Sequence, residues 1–409
     1  MTAAVTTTQQ ESARVPFASC WIAPDARRAA LRVLTSGWVT TGSECRAFED
    51  EFAEHVGAEH AVSVASCTAA IELGLRSLRL PPGSAVLTST LTFCGAVQAI
   101  LHAGLRPVLV DVDPRTGMPT VETTRQAARG CDDPQAMVVI HWAGDPADVA
   151  ALADAAGLPV DRVVEDAAHA LGADLSGTPV GTGATVCFSF YATKNLPIGE
   201  GGMLTTSDPE RAEWIRRARL HGMSADAWRR YLPGGSWRYD VPDAGLKANL
   251  TDLQAAIGRA QLRHLDHWQQ ERGRIAQQYD ERLGRLRAVR LPHRPSAGTH
   301  AWHLYPIQVQ PWAPVQRDEL VAFLDERGVG TSVHFIPVHT LTYFKSVLEV
   351  PPGGFPGADE LFTRLVSLPM HPRLTDAQVD AVCDAVVACE TSTPATPIAP
   401  VPSNQRRIR

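Results

Sequence analysis

The chain has 409 residues, 44% hydrophobic and 20% charged, with a formal net charge of -6. That length suits two packed domains, and the acidic balance gives no reason to expect nucleic acid or an anionic membrane as a partner. No run approaches the ~18 uninterrupted apolar residues of a membrane span, and MTAAVTTTQQESAR lacks the apolar core of a secretory signal, so a cytoplasmic protein is expected.

In chain order, residues 1–14 are polar and Thr/Gln-rich and are predicted to be disordered. Helices are predicted over 25–36 and 48–56, each closed by a glycine, Gly37 and Gly57. Seven short apolar runs read as strands: 60–65, 84–89, 106–112, 136–142, 161–166, 184–190 and 202–208, most of them separated by helical stretches. Short apolar strands alternating with helices mean an α/β fold with a mainly parallel central sheet. This large domain is expected over 15–250.

A long linking helix is predicted over 251–286, opened by a capping box of Thr251 and Gln254. Beyond it, 287–391 reads as a smaller α+β domain. It has strands near 300–309 and 330–335 and helices over 317–326 and 375–390, the last with a capping box of Thr375 and Gln378. The Pro-rich tail 392–409 is predicted to be disordered. Eight cysteines (Cys20, Cys45, Cys67, Cys94, Cys131, Cys187, Cys383, Cys389) include no CxxC pair, which argues against a zinc ribbon and a disulfide framework and for reduced thiols.

Three segments carry chemistry-bearing residues. VASCTAAIEL (64–73) is strand, turn and helix, and a helix start at Cys67–Ala69 offers free N–H groups and the Thr68 hydroxyl to a phosphate. Helix capping alone accounts for the same residues. VVEDAAHALGA (163–173) puts Asp166 at the C-terminal end of an apolar strand, where open parallel sheets bind ligands. A carboxylate there can pair with a protonated ring nitrogen, or simply cap a helix over the residues that follow. FSFYATKNLPIGEGGMLTT (188–206) places Ser189 and Lys194 between a strand and a Gly-rich loop. A desolvated lysine can form a Schiff base, while a solvated surface lysine is the commoner fate.

The order SCTAA, EDAAHALGA, SFYATKNLPIGEGGM resembles the DegT/DnrJ/EryC1/StrS family of pyridoxal-phosphate (PLP) sugar aminotransferases. The resemblance extends over 36–62, 91–113, 245–262, 328–339 and 366–375. It implies the aspartate-aminotransferase-like fold (fold type I) and PLP as cofactor. It also implies that Lys194 holds the cofactor and shuttles a proton, and that Asp166 holds the pyridine nitrogen protonated. His169 would contact the phenolic-oxygen side, and Phe93 would stack on the ring. Thr68, the amides of Cys67 and Ala69, and Ser189 would hold the phosphate.

Lys247 and Asn249, in GLKANL, stand where many members have Asn and Arg. They would reach the neighbouring subunit's phosphate, which makes a homodimer with shared active sites. His334 would face the substrate. Relatives that remove a sugar hydroxyl carry His at position 194, so the lysine favours transamination. L-glutamate (or glutamine) is the implied donor and a keto sugar the acceptor. LHGMSADAWRRY (220–231) followed by GLKANLTD most resembles members acting on nucleotide-linked 4-keto-6-deoxyhexoses. A ketocyclitol acceptor, or a PLP-binding regulator without turnover, are the alternatives.

Other features have blander readings. GTGA at 181–184 precedes a strand instead of opening a helix, which argues against a dinucleotide loop. His300, His303, His334 and His339 are too loosely spaced for a zinc site, with no carboxylate or cysteine beside them, so no metal is expected. WRRYLPGGSWRYD (228–240) reads either as a nucleotide-binding loop or as plain surface.

Overall fold

The structure, a computed structural model, describes residues 14–131, 133–224 and 237–391. All seven predicted strands form, as β1 (His60–Val64), β2 (Ala85–Ser89), β3 (Arg106–Val110), β4 (Ala136–Ile140), β5 (Val163–Asp166), then a short hairpin β6 (Asp174–Leu175) and β7 (Thr178–Pro179), followed by β8 (Val186–Ser189) and β9 (Gly202–Thr206). The hairpin apart, they make one sheet in the order β1-β9-β8-β5-β4-β2-β3. Strands β3, β2, β4, β5 and β8 pair in parallel, while β9 runs antiparallel to both of its neighbours. The mainly parallel α/β architecture is therefore present. The strands are largely buried on both faces because helices cover both sides of such a sheet.

Strand direction places the site. Val64, Ser89, Ile140, Asp166 and Ser189 all end strands at one edge of the sheet, and Gly202, starting the reversed strand, pairs there with both Val64 and Ser189. Ligands gather at this C-terminal edge because the chain turns there and leaves helix starts and polar side chains unpaired.

Helix α1 (Pro24–Ser36) ends at Gly37 with φ 77°, and α2 (Ser43–Val56) at Gly57 with φ 72°, so both predicted glycine stops occur. Helix α2 starts five residues earlier than its apolar period suggests. The Asp252 carboxylate, distant in sequence, takes the Gly42 and Cys45 amides at 2.7 and 3.0 Å and so opens the helix there. Beneath α2, Glu49 is buried with Arg219 and Ser63: Arg219 donates to Glu49 and to Ser63 O, and the Ser63 amide and hydroxyl donate to Glu49 at 3.0 and 2.7 Å. Glu49→Ala would leave the guanidinium charge uncompensated, with an expected loss of about 3 kcal/mol in stability. Chemical denaturation checks this; a loss under ~1 kcal/mol would mean water reaches the arginine.

The predicted linking helix is two helices, Asp252–Leu262 and Leu265–Leu283. The capping box at Thr251 and Gln254 is formed, but the chain tightens at His264, whose amide bonds Gln261 O three residues back at 3.0 Å. The His264 ring meanwhile hydrogen-bonds Asp25 at 3.1 Å. Neither proline nor glycine marks this break, so nothing local announces it.

Beyond it, β10 (Val289–Arg290), β12 (Tyr305–Val309) and β13 (Leu365–Leu368) form an antiparallel three-stranded sheet. Between the first two in sequence, β11 (Gly298–Thr299) pairs back onto β6. Helices Leu265–Leu283, Arg317–Glu326 and Asp376–Thr391 close a core over the three-stranded sheet around Tyr279, Tyr305 and Leu324.

Two predicted strands differ. The first begins only at Tyr305, because the amides of Ala301 and Leu304 bond the carbonyls of Gly144 and Ala143 at 2.8 and 3.1 Å. The stretch 330–335 forms no strand. Its amides are divided between Val15 O (from Gly330, 2.9 Å) and Ser367 O (from Ser332, 3.3 Å), so no single ladder can grow. Arg14, expected within the disordered N-terminus, pairs with Asp325 at 2.5 Å. Residues 1–13, the tail 392–409 and most of the 228–240 stretch lie outside the described residues. No described helix is long and apolar enough to cross a membrane.

Candidate active site

The turn after β1 delivers α3 (Cys67–Ser77) with its N-terminus at the active edge. Its cap is Ser66, whose hydroxyl accepts the Ala69 amide at 3.1 Å. The Ala69 N–H expected to meet a phosphate is thus already engaged. The first-turn positions at Cys67 and Thr68, with the positive end of the helix dipole, are what remain for an anion. Gly202 makes this turn possible: a Cβ there would stand 2.5 Å from Ser66 C and 2.7 Å from Cys67 N. Gly202→Ala is therefore expected to push the turn off the sheet edge and weaken anion retention at α3 at least tenfold, about 1.4 kcal/mol. Phosphate or PLP titration of the cofactor-free protein reads this; unchanged affinity would mean the turn is not part of the cradle.

Asp166 ends β5, buried at 5% exposure. Its Oδ1 accepts the Ala168 amide at 3.1 Å and faces the Cys67 thiol at 3.7 Å. Oδ2 has no partner among the described residues. No helix follows over 167–173, so Asp166 caps a turn and keeps one oxygen open. Burial raises its pKa, opposed by the Ala168 amide, Lys194 and Cys67.

Lys194 follows β8 in a tight turn in which its amide bonds Tyr191 O at 2.9 Å. Its amine has no hydrogen-bond partner among the described residues. Burial draws its pKa down to about 8, against the opposing pull of Asp166 and Cys67. Ser189 accepts the Tyr191 amide at 3.3 Å and keeps its hydroxyl proton free to donate.

His169 accepts the Ala143 amide on Nδ1 at 3.2 Å and lies against Phe335, ring centroids 5.6 Å apart. Burial holds the ring neutral, with Lys194 adding to the effect. Phe93 caps α4 (Cys94–His102) with its ring 58% exposed, 6.0 Å from Phe335. An aromatic side chain left this open at a sheet edge is a surface on which a flat ligand can stack. His334 bonds Ser367 Oγ at 3.0 Å, stacks on Phe17, and is drawn by burial to about 4.

Lys247 and Asn249 lie on the segment beside β1, where Asn249 bridges Val64. The Lys247 amine donates to Asn249 Oδ1 at 2.6 Å and is exposed, while Asn249 Nδ2 donates to Thr41 at 2.7 Å. Within one chain they bind each other.

Four residues packed beside these were not assigned to the site from the sequence, His303 having been weighed there only as a metal ligand. Ser66 was visible in principle, as a serine directly before a helix. Asn195, His303 and Phe335 were not, since their roles depend on neighbours more than a hundred residues away. Of the loosely spaced histidines, His300 pairs with the Trp302 amide, His303 with Asn195, His334 with Ser367 and His339 with Thr90. Among the described residues no three His, Cys, Asp or Glu side chains are grouped to hold a metal ion. A separate hollow of about 620 Å³ between Arg106–Leu109, residues 123–130 and the loop 349–356 contains none of the site residues.

These features fit PLP on four counts: a lowered, unpartnered lysine amine, an open carboxylate oxygen, a bare aromatic face and a helix start. The family model described as the DegT/DnrJ/EryC1/StrS aminotransferase family matches residues 22–387. The spore coat polysaccharide biosynthesis protein SpsC of Bacillus subtilis is 41% identical over 381 residues, covering 92% of this chain and 97% of its own. DesV of S. venezuelae, solved with a ketimine intermediate, superposes with a TM-score of 0.82 at 33% identity, covering 92% of this chain and 99% of its own. The sugar aminotransferase Spr1654 of Streptococcus pneumoniae, described as putative, has been solved in PMP and PLP forms. Both give a TM-score of 0.84, at 27% and 26% identity, covering 92% and 93% of this chain and 99% and 100% of their own.

Proposed function

The chain belongs to the DegT/DnrJ/EryC1/StrS aminotransferase family and is a PLP-dependent sugar aminotransferase, and from that premise we propose that Lys194 and Asp166 carry its chemistry. The observation that carries this reading is the open Lys194 amine and the open Asp166 Oδ2 at one sheet edge. PLP supplies, when bound, the electron sink that makes a substrate C–H bond acidic.

The protein's own groups do the rest. Lys194 would anchor the cofactor and then take and return the proton at the reacting carbon. Asp166 Oδ2 would keep the ring nitrogen protonated. His169, its Nδ1 occupied by Ala143, would offer its Nε2 proton to the ring oxygen. Phe93 would stack on the ring. The α3 start at Cys67 and Thr68, with Ser189, would receive the phosphate. His334 lines the substrate side.

The acceptor is a nucleotide-linked 4-keto-6-deoxyhexose and the donor L-glutamate or glutamine. A sugar acceptor is supported by the relationship to SpsC, which takes its name from spore coat polysaccharide biosynthesis. The enzyme works as a cytoplasmic homodimer in which Lys247 and Asn249 release each other to meet the partner's phosphate. The exposed Leu31 and Leu34 on α1 add apolar surface that a second subunit can cover.

Borohydride should fix the cofactor on Lys194, and glutamate alone should bleach the visible band. Peptide mapping of the label to another lysine would remove the site assignment. A panel of nucleotide keto sugars and ketocyclitols, assayed with glutamate, tests the acceptor; turnover confined to ketocyclitols would replace it. For the assembly, sedimentation should give a dimer, and an active monomer would end that part of the proposal.

A further inference from the structure

The Cys67 thiol lies between two acceptors. Its Sγ stands 3.4 Å from Cys187 O on β8 and 3.7 Å from Asp166 Oδ1 at the end of β5, while Cys67 itself opens α3. The start of a helix and two paired strands thus meet at one sulfur. Burial raises this thiol well above its ordinary pKa, and the neighbouring carboxylate adds to the effect, so the group keeps its proton and is a donor. One proton has two oxygens within reach. Cys187 O is neutral and already takes the Ala167 amide at 2.9 Å. Asp166 Oδ1 takes the Ala168 amide at 3.1 Å and, when ionised, carries charge, so it draws the shared proton more strongly despite the longer separation.

The consequence falls on the other carboxylate oxygen. Ala168 is two residues along the same turn and moves with Asp166. Cys67 belongs to α3, the element whose start is expected to meet a phosphate, so its thiol ties the carboxylate to that part of the site. Two donors on Oδ1, one from each element, fix the plane of the group and leave Oδ2 open.

We propose that Cys67 is a positioning residue for Asp166: its thiol donates to Oδ1 and holds the carboxylate with Oδ2 free to meet a ring nitrogen. The proposal rests on Asp166 being the electron-sink carboxylate. A donor on a carboxylate also favours the charged form, so losing the thiol should raise the pKa of Asp166 and loosen its orientation together. The plainer account is that Cys67 fills space, since it belongs to an apolar cluster with Val64, Ala70 and Ile71, and a buried cysteine packs as a small hydrophobe.

Infrared absorption of the cofactor-free, full-length chain reads the thiol directly, because the S–H stretch falls in a window clear of other protein bands. Subtracting the spectrum of Cys67→Val, or of the smaller Cys67→Ala, isolates the Cys67 band from those of the other cysteines. The spectra are recorded at alkaline pH to keep Asp166 ionised. Asp166→Asn keeps an oxygen at the acceptor position without its charge, so the band should move to higher frequency. A band indifferent to Asp166→Asn would mean that the proton goes to Cys187 O alone, and that result overturns the proposal.

In the holoenzyme, Cys67→Ser keeps a donor and should hold kcat within about twofold of wild type, while Cys67→Val and Cys67→Ala should each lose about tenfold, the usual contribution of one hydrogen bond to a charged group. KM for glutamate should change little, and melting temperatures should confirm that the variants fold. A space-filling Cys67 predicts the reverse order, with the apolar Val or Ala near wild type and the polar Ser worst, and that order overturns the proposal too. Failure of borohydride to label Lys194 would instead remove the functional reading, and that result is independent of the infrared band.

Discussion

Asp166→Asn is expected to lower kcat about a thousandfold, a loss of ~4 kcal/mol in transition-state stabilisation, while the protein folds and binds cofactor normally. The carboxylate is buried, and burial alone drives it toward the neutral acid. It stays charged most easily when a cation meets its open Oδ2, and a protonated ring nitrogen is such a cation. The pairing would work in both directions: Asp166 would keep a bound pyridine ring positive, and that ring would supply the electron sink for the substrate C–H bond. Asparagine keeps the Oδ1 acceptor for Ala168 and Cys67 but removes the charge. The rival account, in which Asp166 only caps the turn at Ala168, predicts almost no change, because Asn caps turns as well as Asp. Steady-state kinetics with a melting curve on this one variant decide between them, and near-native turnover would end the electron-sink assignment.

Lys194→Ala should lower turnover by at least about 10⁴-fold, roughly 5 kcal/mol, the larger of the two effects, because anchoring and proton transfer vanish together. The wild-type amine also makes a pH prediction. Burial lowers its pKa from 10.5 to about 8, so the amine is protonated below that value and free above it. Only the free amine attacks an aldehyde. Cofactor uptake by the stripped protein should therefore rise about tenfold per pH unit below 8 and level off above it. Stopped-flow absorbance follows this directly. A rate that keeps rising to an inflection near 10.5 would show a fully solvated lysine. The same profile in Asp166→Asn should bend at lower pH, because Asp166 is the largest influence opposing burial on the amine.

Placement that depends on neighbours in sequence was legible: Asp166 ends a short apolar strand and Lys194 lies in the turn that follows another, both at the ligand-binding edge of a parallel sheet. Glycine stops at Gly37 and Gly57 and the capping boxes at Thr251 and Thr375 are satisfied within a few residues, so they too were visible. Ser66 is readable by the same rule, as a serine directly before a helix whose side chain caps it.

Other features were decided only by tertiary structure. The break at His264 comes from a ring bonded to Asp25, 239 residues away, and the lost strand at 330–335 from amides divided between two distant segments. Phe93 acquires its neighbour Phe335 only once the C-terminal part folds against the sheet edge, and His169 takes its tautomer from Ala143, in the turn after β4 and 26 residues away. Asn195 and His303 stand 108 residues apart, joined because Ala301 and Leu304 bond the turn after β4. Periodicity and capping record interactions across three or four residues, and those the sequence determined by itself. Which unpaired atoms finally face one another at the site depends on the order of strands in the sheet, and that order is set by burial of whole surfaces, to which every part of the chain contributes.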